Sequence, residues 1–335
     1  MFPAIERILA KNKLFQAWKD NSIFEALLAS PPILVQEFSE EWIEAFKKLV
    51  GDGPMTYRSL INLADYIEKV RALDGYSHIK ERMLRLDDQL YPTIAEVEFI
   101  WSLLLKTPPD KIHLEYTFPS PSGKNLELMV DHPSGPIYFE VTSIQEYREM
   151  TNILNYFNAF AAFQTSLKVL YGLNCGMVIS FSEYPTQEMF KHIYTKINEY
   201  AVKGQYVFSV KEAEYTLEMV EGDNVVFNLP VSYLEKKIKD KIEEKEPKFR
   251  EGDRNFIVID VTPMVDDINV QLEKIGQYFQ YTEDKKIWGV LLQFKRWTFE
   301  ELEPVYKFGL IGRGNSKIYG KEPYNLMHDF IPDKI

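Results

Sequence analysis

Two acidic side chains in the middle of the chain could hold a divalent cation between neighbouring strands. A short strand-like segment ends in Asp131, and after the turn sequence His-Pro-Ser-Gly a second segment carries Glu140 late in its length. Strand alternation places Glu127 on the face of Asp131, and it places Thr142 on the face of Glu140. If a hairpin brings the segments together, Asp131 and Glu140 could share one Mg²⁺ or Mn²⁺ ion.

Such a pair of carboxylates suits the hydrolysis of a phosphodiester bond. Mg²⁺ binds a few carboxylate oxygens and keeps several waters, one of which can become the attacking nucleophile. The ion also stabilises the charge that develops on the phosphate oxygens during the attack. The alternative for Asp131 is an ordinary turn acid, because aspartate commonly starts turns. His132, next to it, is also favoured as a turn residue, and contact with a substrate is the alternative.

The elements around these acids follow one another as a helix, three strands, a helix and a strand. Pro92 and Thr93 open the first helix, and the prolines at 108 and 109 follow its end near residue 106. Gly123 and the pair Ser134-Gly135 supply turns between the strands. Apolar patterning predicts strands at 112–118, 125–131 and 136–143, a helix at about 149–171 and a buried strand at 175–181.

This αβββαβ order and the sequence Glu140-Val141-Thr142 after a strand ending in Asp131 resemble the PD-(D/E)XK nuclease superfamily. The resemblance covers roughly residues 92–181 and implies a restriction-endonuclease-like fold. It also implies that Asp131 and Glu140 bind the metal, Mg²⁺ or Mn²⁺, and that they are catalytic residues.

A third metal ligand in this family often comes from the first helix, where Glu98 and Glu96 are both candidates. Glu98 is closer to the inward stripe of the predicted helix. Glu96 also has a structural explanation, because Thr93 and Glu96 have the spacing of a capping box. The resemblance implies that one of the two glutamates reaches the metal.

The sequence departs from the family at Thr142, where a lysine is expected two residues after the glutamate. A hydroxyl carries no positive charge, so the role left to Thr142 is to position the water or to contact a phosphate. Lys168 on the following helix could supply the missing charge, because it shares a helix face with Gln164. Lys124, at the start of the second strand, is the alternative.

The rest of the chain predicts an α/β fold with a mixed sheet flanked by helices. Residues 1–90 read as a helical region, and residues 91–335 as a nuclease-like domain with an insertion at about 203–250. That insertion has a β-rich part and a charged helix, which we expect to be solvated. Two apolar segments, 255–262 and 287–294, predict buried parallel strands joined by a helix near 267–281. The last 30 residues predict loops and an irregular hairpin.

The composition of the chain indicates its cellular compartment and the kind of partner that it can bind. A single cysteine, Cys175, excludes an intramolecular disulfide framework. No run approaches the roughly 18 apolar residues of a membrane helix, and the N-terminus lacks a signal-peptide pattern. These features predict a cytoplasmic protein. The net charge of −11 argues against coating nucleic acid through bulk charge, but residues 285–321 hold eight basic residues against three acidic ones.

These features predict a metal-dependent endonuclease, with DNA favoured over RNA and bound through the basic 285–321 segment. A catalytically inactive nuclease fold that binds nucleic acid or protein is the main alternative. An enzyme acting on a small molecule is least favoured, because no second set of catalytic side chains stands out. The helical N-terminus is the candidate surface for a protein partner or a homodimer.

Overall fold

The fold is seen in a computed structural model that describes most of the chain. The described residues are 31–50, 54–116, 126–144, 156, 159–160, 164, 175–222, 225–228, 230–261, 268–296 and 307–330. The prediction of helices over residues 1–30 and the placement of Lys124 and Lys168 lie outside them. Of the helix predicted at about 149–171, the described positions Tyr156, Ala159, Phe160 and Gln164 are helical.

Five helices precede the first strand in the part of the chain that is described. Their bounds are α1 Pro32–Phe38, α2 Glu40–Val50, α3 Pro54–Val70, α4 Tyr76–Leu84 and α5 Leu90–Leu104. Helix α5 begins two residues before Pro92, which the first turn tolerates because its N–H groups have no partner within the helix. This helix packs against the main sheet, with Val97, Phe99 and Ile100 fully buried.

The main sheet has six strands in the order β1-β2-β3-β8-β9-β10. Its strands are β1 Ile112–Tyr116, β2 Leu126–Val130, β3 Ile137–Ser143, β8 Arg254–Asp260, β9 Gly289–Arg296 and β10 Lys307–Gly314. Strands β1, β2 and β3 form an antiparallel meander, and β3, β8 and β9 run parallel. Strand β10 closes the sheet antiparallel to β9. The predicted α/β class with a mixed sheet is confirmed.

A second sheet of four strands has the order β5-β6-β4-β7. Its strands are β4 Cys175–Phe181, β5 Phe208–Lys211, β6 Tyr215–Glu221 and β7 Val225–Asn228. Segment 175–181, the last strand of the αβββαβ order inferred from the sequence, does not join the first three strands, because β4 pairs with β6 and β7 instead. The fourth strand of the main sheet is β8, a much later segment of the chain.

The remaining helices connect and cover these strands. They are α6 Gln187–Val202, α7 Val231–Lys245, α8 Ile268–Tyr281, α9 Ser316–Tyr319 and α10 Glu322–Phe330. Helix α8 joins the parallel strands β8 and β9, which confirms the predicted βαβ unit. Loops and an irregular hairpin are predicted for the last 30 residues. The described part instead forms the regular strand β10, which pairs antiparallel with β9 along its full length, and the helix α10. Gly309 and Gly312 obscured that strand, since Gly is uncommon in strand interiors.

The described residues divide into two compact units. One takes those within Ile43–Ser59 and Arg148–Tyr233, which include the second sheet. The other takes those within Pro31–Trp42, Leu60–Tyr147 and Leu234–Ile335, which include the main sheet. Among the described helices, none is long and apolar enough to cross a membrane.

One face of the main sheet is built around Phe139 of β3. Its ring lies 5.1 Å from Phe99 of α5, 5.7 Å from Phe256 of β8 and 5.4 Å from Phe330 of α10, measured between centroids. Because side chains alternate along a strand, Glu140 projects from the opposite face. The apolar packing of one face therefore holds β3 in place while the other face presents the glutamate.

Candidate functional site

Glu127 and Glu140 lie side by side on the antiparallel strands β2 and β3. The register pairs Leu128 with Phe139, and Glu127 and Glu140 are the next residues along the two strands. The Glu127 N–H donates to Glu140 Oε1 at 3.2 Å, and the Val141 N–H donates to Glu127 Oε2 at 2.6 Å. Each carboxylate thus accepts a hydrogen bond from the backbone of the other strand, which fixes the pair across the hairpin.

Two lysines meet this pair of carboxylates. Lys245 Nζ lies 3.0 Å from Glu127 Oε1 and 3.3 Å from Glu140 Oε2. Lys248 forms an ion pair with Glu140 and lies 3.8 Å from Glu127 Oε1. Glu140 is completely buried, and the other three side chains are largely buried. We call Glu127, Glu140, Lys245 and Lys248 the glutamate–lysine cluster.

Helix α7 presents Lys245 to the sheet because this lysine lies on the apolar side of the helix. Ile238 and Ile242 are buried, and Lys245 follows them at helical spacing, with buried Phe249 next in line. The chain continues after α7 into the short 3₁₀ turn Glu246–Lys248, which brings Lys248 to the same carboxylates. The alternating charges of this segment predict a solvated helix face, and Lys245 departs from that prediction because it lies on the buried side.

The two glutamates of the cluster have pKa values shifted in opposite directions. Burial and the nearby charge of Glu127 together raise the pKa of Glu140 to about 7, although the charges of Lys245 and Lys248 oppose the shift. Burial also acts to raise the pKa of Glu127, but Lys245 and Lys248 outweigh it and the pKa falls below its ordinary value. Burial lowers the pKa of Lys245, yet Glu127 and Glu140 reverse that shift and keep it charged. At neutral pH Glu127 is thus the firmly ionised acid, and Glu140 can exchange a proton.

Asp131 lies at the opposite end of β2 from this cluster. It shares the face of Glu127 but is four residues further along the strand, which corresponds to about 13 Å. Its carboxylate is half exposed and lies 3.0 Å from Nε2 of His113 on β1. The structure therefore does not bring Asp131 and Glu140 together, and this pair cannot share one ion in this arrangement.

Glu98 and Glu96 lie in two different environments. Glu98 accepts a hydrogen bond of 2.9 Å from Gln293 Nε2 of β9, and Gln293 lies in register with Asp260 and Ser143. Alternation puts that row on the face of Phe139, so Glu98 lies on the other side of the sheet from Glu140.

Glu96 belongs instead to a small ionic group next to the glutamate–lysine cluster. It pairs with Arg82 at 2.8 Å, and Arg82 also contacts Glu115 at 3.0 Å. Burial raises the pKa of Glu96 to about 8 although Arg82 opposes the shift, and the charge of Glu127 contributes to the rise. Of the two candidates, Glu96 is thus the one within electrostatic reach of the cluster. Its partner is Arg82 of α4. Thr93 is not the helix cap, because α5 begins at Leu90, and the Thr93 hydroxyl donates to the Gln89 carbonyl within the helix.

Thr142 is buried two residues beyond Glu140 on the same face of β3. Lys168 and Lys124, the predicted sources of positive charge, lie outside the described residues. Lys245 and Lys248 supply positive charge at Glu140. The predicted nucleic-acid segment 285–321 is only partly described. Within it Lys286 pairs with Glu246 at 3.2 Å and Lys285 with Glu251 at 3.8 Å, so neighbouring acids offset part of its charge.

Sequence reasoning missed Glu127, Lys245 and Lys248 as members of the site, although the sequence holds a signal for the first two. The observed register is centred between Pro133 and Ser134, and counting outward from that centre pairs Glu127 with Glu140 rather than Asp131. Lys245 interrupts an apolar stripe at helical spacing, which is unusual for a solvated lysine. Lys248 follows the helix, and only the tertiary fold shows where it points.

No family model, curated protein or solved structure matches this chain. What the site can do is therefore inferred from its own residues.

The donor chemistry of Glu127 and Glu140 fits a hard divalent cation. Mg²⁺ is commonly held by one or two carboxylates with waters in its remaining positions. Within the residues described, no group of three or more His, Cys, Asp or Glu side chains could hold a metal ion, so any ion here would rest on this pair. The orientation of both carboxylates by backbone N–H groups also suits a binding role, because it limits their rotation.

Proposed function

We propose that this protein is a metal-dependent nuclease that hydrolyses phosphodiester bonds, with DNA as the favoured substrate. One observation carries the proposal. Glu127 and Glu140 form a fixed pair of carboxylates on neighbouring strands, with the two ammonium groups of Lys245 and Lys248 beside them. Metal-dependent phosphodiester hydrolysis requires carboxylates that bind a metal cation, and it is helped by lysines beside them that stabilise the negatively charged phosphate.

The order of strands supports membership in the PD-(D/E)XK superfamily. Its core is an antiparallel meander of three strands after a helix, here α5 followed by β1, β2 and β3. The final helix and strand of the αβββαβ order are then α7 and β8, and β8 pairs with β3 in parallel. In this assignment the second sheet belongs to an insertion between β3 and α7.

Each residue of the cluster has a distinct role in the proposed reaction. Glu127 and Glu140 would hold Mg²⁺ or Mn²⁺, which supplies Lewis-acid stabilisation of the phosphate and a water of lowered pKa. Without the ion, Glu140 has a pKa raised to about 7, so we expect binding of the ion to require loss of this proton. Lys245 and Lys248 stabilise negative charge on the phosphate oxygens. Thr142 cannot do so, because its hydroxyl carries no positive charge. Thr142 offers a hydroxyl on the same face as Glu140.

A catalytically inactive binding module is the second candidate, and the same cluster supports it. Two carboxylates and two ammonium groups already neutralise one another, so the fold needs no cation to compensate the buried glutamates. In that case the charges specify the fit of α7 on the sheet, and the protein binds its partner elsewhere.

Cleavage of plasmid DNA and of labelled oligonucleotides in Mn²⁺ and in Mg²⁺ tests the proposal. We expect Glu127→Gln and Glu140→Gln to lower the cleavage rate at least ~100-fold, because removing a metal ligand commonly costs that much or more. Asp131→Asn is the matched control: it removes a carboxylate from the same strand face and is expected to retain activity. Single-stranded DNA, duplex DNA and RNA oligonucleotides are compared to identify the substrate.

Calorimetric titration with Mn²⁺ separates the enzyme from the binding module. The nuclease proposal expects binding that is lost in Glu127→Gln and kept in Asp131→Asn. Absence of both Mn²⁺ binding and cleavage in the wild type would favour the binding module. Loss of activity in Asp131→Asn but not in Glu127→Gln would show that the metal is bound at Asp131, at the other end of β2.

A further inference from the structure

A serine, a histidine and an aspartate meet at the turn between β2 and β3. Ser134 Oγ lies 2.6 Å from His132 Nδ1, and His132 Nε2 lies 3.4 Å from Asp329 Oδ2 on α10. We propose that this Ser–His–Asp cluster is a second catalytic site, in which Ser134 is a nucleophile towards carboxylic esters. It shares no residue with the glutamate–lysine cluster and does not rest on the proposed nuclease function.

The hydrogen bonds around His132 leave the nitrogen that faces Ser134 without a proton, as a general base requires. The backbone N–H of Ser134 donates to His132 Nδ1 at 3.2 Å, so Nδ1 is an acceptor and carries no proton. The proton of the neutral ring is then on Nε2, which faces the carboxylate of Asp329. An unprotonated nitrogen thus faces the hydroxyl, and a carboxylate faces the opposite N–H. Compared with the serine protease triad, the two ring nitrogens exchange roles.

The surroundings hold this geometry in place while leaving the serine accessible. Gly135 adopts φ +113°, a conformation that favours glycine, and its N–H donates to the His132 carbonyl at 2.8 Å. Arg254 of β8 donates to the Ser134 carbonyl from the other side of the turn. The His132 ring lies 5.9 Å from the buried Phe330, measured between centroids, and Ser134 itself is exposed. A nucleophile fixed on an open turn can meet a substrate without a rearrangement of the fold.

The proposed reaction is acyl transfer through a covalent intermediate. Ser134 Oγ forms a bond to the carbonyl carbon of the ester while its proton passes to His132 Nδ1. The carbon–oxygen bond to the leaving alcohol then breaks, and the alcohol oxygen takes that proton. Water next attacks the carbonyl carbon of the acyl-serine while its proton passes to His132 Nδ1. The bond between that carbon and Ser134 Oγ then breaks, Oγ takes the proton from Nδ1, and the carboxylic acid is released. Asp329 is a positioning residue that stabilises the positive ring formed in each step.

Labelling with a fluorophosphonate, followed by intact-mass spectrometry and peptide mapping, tests this proposal on the full chain. We expect one adduct on Ser134 of the wild-type protein and none in Ser134→Ala. Ser182→Ala is the control, because Ser182 is an exposed serine whose hydroxyl donates to a backbone carbonyl rather than to a base. That variant is expected to label at the wild-type rate.

His132→Asn distinguishes a catalytic base from a turn residue. The asparagine oxygen can still accept the Ser134 N–H two residues on, so the turn is kept while the base is lost. We expect labelling of Ser134 to slow at least ~100-fold, as for the loss of a general base. Asp329→Asn is expected to slow labelling with an unchanged melting temperature, and Asp329→Glu to restore part of the rate. A wild type that gains no adduct on Ser134, or a His132→Asn variant that labels as fast as the wild type, would overturn the proposal.

Discussion

Glu127 and Glu140 share two lysines and yet differ in how firmly they hold their charge. Glu127 has the lowered pKa, and Glu140, which is fully buried beside it, has a pKa raised to about 7. Two adjacent carboxylates lose their protons one after the other, because the first negative charge disfavours the second. The first charge falls on Glu127, and Glu140 is therefore the residue whose state changes with pH near neutrality.

The raised pKa of Glu140 predicts a pH-dependent contribution to stability. The folded protein holds this proton more tightly than the unfolded chain, whose glutamate has the ordinary value of 4.5. The contribution is therefore fully present below about pH 4.5 and is lost as the pH rises through about 7. Between pH 8 and 5 we expect the wild type to gain stability relative to Glu140→Gln, by at most about 1.4 kcal/mol per pH unit.

Urea unfolding of both proteins at several pH values measures this difference. Glu96, whose raised pKa acts in the same direction, is present in both proteins, so its contribution cancels. A difference in unfolding free energy that stays constant from pH 5 to 8 would contradict the assignment to Glu140.

At the scale of elements, helix α7 carries lysines in two contrasting settings. Lys245 is buried against Glu127 and Glu140, whereas Lys241 pairs with the exposed Glu244 at 2.9 Å on the same helix. Removing one member of a buried ion pair leaves an uncompensated charge in a poorly solvated place, while water replaces a lost surface pair at little cost. The end of α7 is thus attached to β2 and β3 through the ion pairs of Lys245.

Substituting these two lysines measures the strength of that attachment. We expect Lys245→Met to lower the free energy of unfolding by about 3 kcal/mol or more, because Glu127 and Glu140 lose a shared cation. Lys241→Met, the matched control on the same helix, should cost less than about 1 kcal/mol. Both values come from denaturant titrations at pH 8, where Glu140 is largely ionised. Equal losses in the two variants would show that the buried contact does not stabilise the fold.

At the scale of the whole molecule, the two sheets belong to separate compact units. Strand β4 is the centre of one sheet, with Ile179 fully buried, and β8 is central in the other, with Val258 fully buried. Each unit thus has its own set of buried strands, and each is expected to open by its own local transition.

Hydrogen exchange in two cavity variants tests this division. Ile179→Ala is expected to destabilise its sheet by about 2–5 kcal/mol and to speed amide exchange in β4, β5, β6 and β7. Exchange in β3, β8 and β9 should stay at the wild-type rate. Val258→Ala is the reciprocal variant and should speed exchange in the main sheet alone. A uniform acceleration in both sheets after either substitution would indicate a single cooperative unit instead.

The sequence alone determined most of the strands around the acids, and the strand face from which each acid projects. Periodicity is a local property, so it predicted β2, β3, β8, β9 and the βαβ connection through α8 within a few residues. It also placed Glu127 on the face of Asp131, and Thr142 on the face of Glu140.

Only the tertiary structure decided which of these segments are neighbours and which acids meet. The main sheet passes from β3 to β8, more than a hundred residues later in the chain, and local patterning carries no record of that pairing. The register of β2 on β3 brings Glu127 rather than Asp131 to Glu140. Lys245 and Lys248 reach the same carboxylates from another element, because long-range packing, not local propensity, sets the direction of α7.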